Sequence, residues 1–120
     1  RRPALALLRW QLVIVYAFAA ASKVNPAFFS GAVIAQNLLP AFAGLAGTPT
    51  LAALAVAAVV AEGLVAWSLP RPRWRAAGAV VGVALHLAFI VMITQTLAMI
   101  AFAVICVSMY PLYWLDDRGT

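Results

Sequence analysis

The stretch 51-LAALAVAAVVAEGLVAWSLPRPRWRAAGAVVGVALHLAFIVMI-93 falls into three parts. Residues 51–69 and 76–93 are apolar and carry one ionisable side chain each, Glu62 and His86, while the segment between them, PRPRWR, is a short basic turn. At a rise of ~1.5 Å per residue, a helix over the 19 residues 51–69 covers about 29 Å, enough to cross bilayer hydrocarbon. The stretch therefore reads as two antiparallel membrane spans joined by a charged turn. Working outward, residues 5–22 and 97–115 repeat the apolar pattern, which makes four spans.

Composition agrees. The 120 residues are 67% hydrophobic and 9% charged, against roughly 25% charged in a soluble domain, and mean hydropathy is +1.04. The class is an integral membrane protein, solvated by the lipid bilayer. No small-residue cleavage site followed by a soluble region marks a signal peptide. The sequence opens on Arg1 rather than Met, with a span starting almost at once. The expectation is a piece of a longer polypeptide, partnered by its remaining helices or by other membrane subunits.

The net charge of +5 does not point to nucleic acid, because the basic residues form no stripe interleaved with aromatics. Arg1, Arg2, Arg71, Arg73, Arg75 and Arg118 flank apolar runs, as topology signals do. With both termini cytoplasmic, four spans put all six on the inner side and leave Lys23 on the outer one. Trp10, Trp67, Trp74, Tyr110, Tyr113 and Trp114 then fall near the inner ends, as an aromatic belt would. The expected location is a bacterial plasma membrane. Cys106 stands alone in an apolar run, so no intramolecular disulfide is available.

Between the first two spans, residues 24–50 hold Pro26, Pro40, Pro49, Gly31, Gly44 and Gly47 but no charge. The apolar piece FFSGAVIAQNLL is too short between its prolines to cross. It reads as a short interfacial or re-entrant helix within a segment 26–47 that folds back over the bundle. The fold class is thus all-α: a polytopic membrane four-helix bundle with one such helix between its first two spans.

Inside a bilayer the informative residues are polar, because each costs free energy unless partnered. Arg9, Tyr16 and Lys23 are spaced seven apart, and seven steps of about 100° return to nearly the same face. Gln11, Glu62, His86 and the Thr94–Thr96 cluster complete the set. Glu62, near mid-helix, costs on the order of 2.5–3.5 kcal/mol if charged and alone. His86 follows Gly78 and Gly82 at four-residue intervals, a small-residue stripe that lets another backbone approach. Counted from the basic turn, Glu62 and His86 lie about one helical turn apart in depth, so the two are expected to pair. For each of these residues a structural role competes with a chemical one. Arg9 can snorkel to headgroups, and Lys23 can anchor a helix end. If the segment after it folds back, Lys23 is instead desolvated, which disfavours the ammonium and yields a usable general base. One histidine and one glutamate do not make a metal site.

The order Arg9-x-Gln11, Val15-Tyr16, Ala20 and Lys23, then an amide–proline turn, the aromatic pair Phe28–Phe29 and Gly31, resembles vitamin K-dependent γ-glutamyl carboxylase. It equally resembles the bacterial HTTM proteins that share that enzyme's membrane domain. Glu62 in the next span, His86 in the following one and a closing helix near Ser108–Pro111 continue the match over essentially all of the chain. The resemblance implies that Lys23 is the base that deprotonates vitamin K hydroquinone or another quinol. Oxygenation then generates the stronger base of carboxylase and epoxidase chemistry. Arg9, Gln11, Tyr16, Glu62 and His86 would be supporting polar residues in the bundle. The family's upstream helices, which add a functional histidine, and its soluble substrate-binding domain have no counterpart here. The same span-turn pattern is also similar to DoxX- and MauE-like membrane subunits of redox or maturation systems, although the cysteine pair of a thiol-redox helper is missing. A third reading is a non-catalytic structural subunit of a larger membrane complex.

Overall fold

The computed structural model describes residues 3–93 and 96–115. Arg1, Arg2, Thr94, Gln95 and Arg118, together with the side chain of Thr96, lie outside the described residues. The described chain is all α. Helix α1 spans Pro3–Ser22, short turns α2 (Pro26–Phe29) and α3 (Ala32–Ala35) follow, and a 3-10 turn covers Pro40–Leu45. Helices α4 (Pro49–Ser68), α5 (Arg75–Met92) and α6 (Thr96–Met109) complete the bundle, α6 running on into a 3-10 turn at Tyr110–Trp114. Residues 3–22, 49–68, 75–92 and 97–114 are each long and apolar enough to cross a membrane.

Local chemistry sets the breaks. Pro26 disfavours helical backbone at Asn25, and Asn25 instead adopts an extended conformation and caps α2, its Oδ1 accepting the Phe28 N–H at 2.9 Å. Thr48 caps α4 in the same way, accepting the Leu51 N–H at 3.3 Å, with Pro49 in the first turn, where its missing N–H costs nothing.

The single short helix expected within 26–47 is divided. Gly31 takes φ +84°, a left-handed conformation that ends α2 and starts α3. A Cβ there would also lie 3.2 Å from the Ala52 nitrogen, so the backbone of the fold-back rests directly on the start of α4. The far end is tied down by an antiparallel bridge between Leu38 and Ile93, with the Leu39 N–H donating to the Met92 carbonyl at 2.8 Å. Residues 26–45 thus close one end of the bundle, where α1 ends, α4 begins and α5 ends.

Helix α1 packs on α4, α4 on α5 and α5 on α6, and a lighter α1–α6 contact closes the ring. Outward-facing side chains such as Leu7, Phe18, Val80 and Leu97 are apolar and exposed, as lipid-facing positions should be. The core has two parts. Leu12, Tyr16, Val65, Leu69, Cys106, Tyr110 and Tyr113 pack together toward the basic turn, and Phe28, Ile34, Leu51, Ala55, Ala58 and Ile93 pack under the fold-back. Along α4 the single buried residue between these clusters is Glu62.

Candidate functional site: a polar layer between two apolar clusters

The inward face of α1 carries Leu5, Leu12 and Tyr16 as buried residues, with Arg9 and Lys23 partly buried on the same seven-residue register. Gln11, two positions from Arg9 and so on the opposite side of the helix, is exposed and does not join the interior. Lys23 reaches inward from the end of α1, and its Nζ donates to Glu62 Oε1. The Lys23 side chain is 29% exposed and that of Glu62 only 5%. The ammonium also stands 5.9 Å from the centre of the Phe28 ring, on the fold-back. Glu62 Oε2 is buried and has no hydrogen-bond partner among the described residues.

His86 is held differently. Its Nε2 is 2.6 Å from the Tyr16 hydroxyl, which lies 2.5 Å from the hydroxyl of Tyr110. The expected Glu62–His86 pair is therefore replaced by two others, Lys23–Glu62 and Tyr16–His86. The reason is reach as well as charge. A buried carboxylate is stabilised far more by a cation than by a neutral imidazole, and the lysine stem can bring an ammonium down from the helix end.

The glycine stripe also works otherwise than expected. A Cβ at Gly82 would lie 2.0 Å from the Tyr110 hydroxyl, and one at Gly78 would lie 1.9 Å from Ser68 Oγ. Both glycines make room for side-chain hydroxyls rather than for a second backbone. Without Gly82, Tyr110 could not reach Tyr16.

Sequence reasoning assigned Tyr110 and Tyr113 to the aromatic belt, yet both are buried, at 4% and 3% exposure. Trp10, Trp67, Trp74 and Trp114 are exposed as a belt requires. The signal for the tyrosines was the spacing Ala103, Cys106, Tyr110, Tyr113, a three-four-three inward stripe, and all four are buried. Arg9 neither snorkels freely nor enters the polar layer. Its Nε donates to the Leu112 carbonyl at 2.8 Å and its Nη2 to the Leu115 carbonyl at 2.5 Å, while Tyr113 donates back to the Arg9 carbonyl.

Tyr16, Lys23, Glu62 and His86 line one cavity of about 240 Å³, with Phe28 and Phe102 among its apolar walls. His86 meets the edge of Phe102 at 5.5 Å between ring centres. The cavity thus joins a charged pair, an unsatisfied acceptor and a hydrogen-bonded chain of three side chains to surfaces suited to a flat apolar molecule. Two directions of donation satisfy that chain, because the Tyr16 hydroxyl can pass its proton toward either neighbour.

Compared with known proteins, the chain matches no family model, no curated protein and no solved structure. What the fold and site define is a class: a polytopic helical bundle, compatible with an integral membrane protein, with a buried polar layer opening on a cavity.

Proposed function

We propose that this chain is the membrane part of an enzyme acting on a lipid-soluble quinol, with Lys23 as general base and Glu62 as its proton partner. The observation that carries the reading is the half-buried Lys23–Glu62 pair on the cavity wall, with Glu62 Oε2 left without a partner among the described residues. A hydroxyl-bearing aromatic ring fits these residues: its hydroxyl would lie against the Lys23–Glu62 pair, and Phe28 and Phe102 flank the ring.

The pair supports base chemistry in a specific way. An ammonium cannot accept a proton, but moving the shared proton from Nζ to Oε1 leaves a neutral amine beside a neutral acid. Lys23 then takes a proton from a hydroxyl in the cavity and regains its charge. The fold-back bearing Phe28 covers much of Lys23 and so limits the access of water, which would otherwise compete for that proton. His86, Tyr16 and Tyr110 supply a second path for proton movement from the same cavity. The HTTM-like order of Arg9, Tyr16 and Lys23 supports the same reading, and with it the proposal of carboxylase- or epoxidase-like chemistry. The proposed setting is a bacterial plasma membrane, with the Arg71–Arg75 turn and both termini on the cytoplasmic side.

The test is quinol oxidation or carboxylation by the reconstituted full-length protein. Lys23→Arg keeps a cation for Glu62 but cannot act as a base, so it is expected to be inactive while folding normally. Glu62→Gln is also expected to be inactive, because it cannot take the shared proton. Normal turnover by Lys23→Arg rejects the base role. The second reading, a structural subunit, is favoured by the same ion pair acting as a tie between α1 and α4. It expects Lys23→Arg to retain full function.

A further inference from the structure

At the opposite end of the bundle from the fold-back, two guanidinium groups converge on one tyrosine. Arg9 from α1 and Arg75 from the first turn of α5 lie with Cζ 5.7 and 5.5 Å from the centre of the Tyr113 ring. Each is fixed by backbone carbonyls. Arg9 uses Nε and Nη2 on Leu112 and Leu115, and Arg75 donates from Nε to Leu69 at 2.8 Å and from Nη2 to Pro70 at 3.4 Å. Both line a cavity of about 260 Å³ whose other walls include Trp10, Val13 and Tyr113.

Two guanidinium charges held against one ring repel each other, and an anion bound near both would offset that repulsion. Among the described residues the single carboxylate is Glu62, already paired with Lys23 in the other polar layer. Carbonyl bonds pre-organise both forks while leaving the Nη1 of each without a bond among the described residues, so donors remain for an oxyanion. The exposed Trp10 and Trp114 beside them mark the depth at which lipid headgroups lie.

We infer that Arg9, Arg75 and Tyr113 form a binding site for a phosphate anion, presented as the phosphodiester of an anionic lipid or as free phosphate. Basic pockets between helix ends suit that chemistry, and both guanidiniums line the one cavity that the phosphate would enter. The site is independent of the reaction at Lys23.

The experiment is native mass spectrometry of the full-length chain in detergent, with phosphatidylglycerol and phosphatidylcholine in equal amounts. Retention of phosphatidylglycerol is expected to exceed that of phosphatidylcholine by about tenfold. Arg9→Gln and Arg75→Gln should each abolish the preference. Arg73→Gln, which removes the same charge from the exposed turn, should preserve it. Arg9→Lys and Arg75→Lys, which keep the charge and guard against misfolding, should reduce the preference without abolishing it. Displacement of the lipid by inorganic phosphate identifies free phosphate as an alternative source, and resistance to it identifies the lipid. An equal loss from Arg73→Gln and Arg75→Gln means diffuse attraction to a basic surface and overturns the site. Asp116 and Asp117 lie outside the described residues, so the assay is repeated with both changed to asparagine. Retention that arises only in that variant means the chain's own carboxylates hold the arginines, and it also overturns the proposal.

Discussion

Lys23, at the end of α1, donates its ammonium to Glu62, near the middle of α4, and this pair lies where the two apolar clusters of the bundle meet. The partners are unequal. Glu62 is almost fully enclosed, whereas Lys23 keeps a partial route to the surface. Removing the lysine strands a buried carboxylate, while removing the carboxylate lets the ammonium move outward.

Lys23→Met is therefore expected to destabilise the bundle by about 3–5 kcal/mol, and Glu62→Gln by distinctly less. The double change Lys23→Met with Glu62→Leu should recover most of the loss, because an apolar pair of similar volume carries no desolvation cost. Reversible unfolding in bicelles measures all three. A double variant no more stable than Lys23→Met would mean that the pair is not the source of the loss.

Tyr16→Phe removes the hydroxyl bonded to both His86 Nε2 and Tyr110. Each buried group left unpaired costs about 1–3 kcal/mol. The nitrogen-15 shift of His86 Nε2 should move in Tyr16→Phe and stay nearly unchanged in Glu62→Gln. The opposite pattern would assign the histidine to the carboxylate.

Gly82→Ala places a methyl group on the Tyr110 hydroxyl. A bundle packed this tightly should lose about 1–3 kcal/mol, together with the Tyr16–Tyr110 bond. Tyr110→Phe in the same chain removes the nearest clashing atom and should restore part of the loss. Gly63→Ala, with nothing within 4 Å of its Cβ, serves as the neutral comparison. Equal effects at the two glycines would show that helix propensity, not crowding, governs them.

Topology is checked with cysteines at Ala46 and Pro72, in a background where the buried Cys106 is changed to alanine. Ala46 follows the fold-back and Pro72 lies in the basic turn, and both are exposed. An impermeant maleimide should label them from opposite sides of the membrane, Ala46→Cys from outside. Labelling of both from one side contradicts four spans.

The length of the apolar runs in the sequence determined α1, α4 and α5 to within two residues at each boundary, because hydrocarbon thickness and proline breaks act locally. The last helix, expected to reach residue 115, instead ends at Met109 and continues only as a 3-10 turn around Pro111. The sequence also determined that Arg9, Tyr16 and Lys23 share a face, since that follows from helical geometry alone. Three matters were decided only by the tertiary structure. Glu62 pairs with Lys23 rather than His86, because partner choice depends on side-chain reach between helices that depth counting treats as rigid rods. Tyr110 and Tyr113 turn inward: their spacing from Ala103 and Cys106 marks one face of the last span, but that this face is the buried one depends on neighbours such as Gly82, which opens space for the Tyr110 hydroxyl. The fold-back breaks at Gly31, because its backbone must pass against the start of α4, and a contact between distant segments leaves no local pattern in either one.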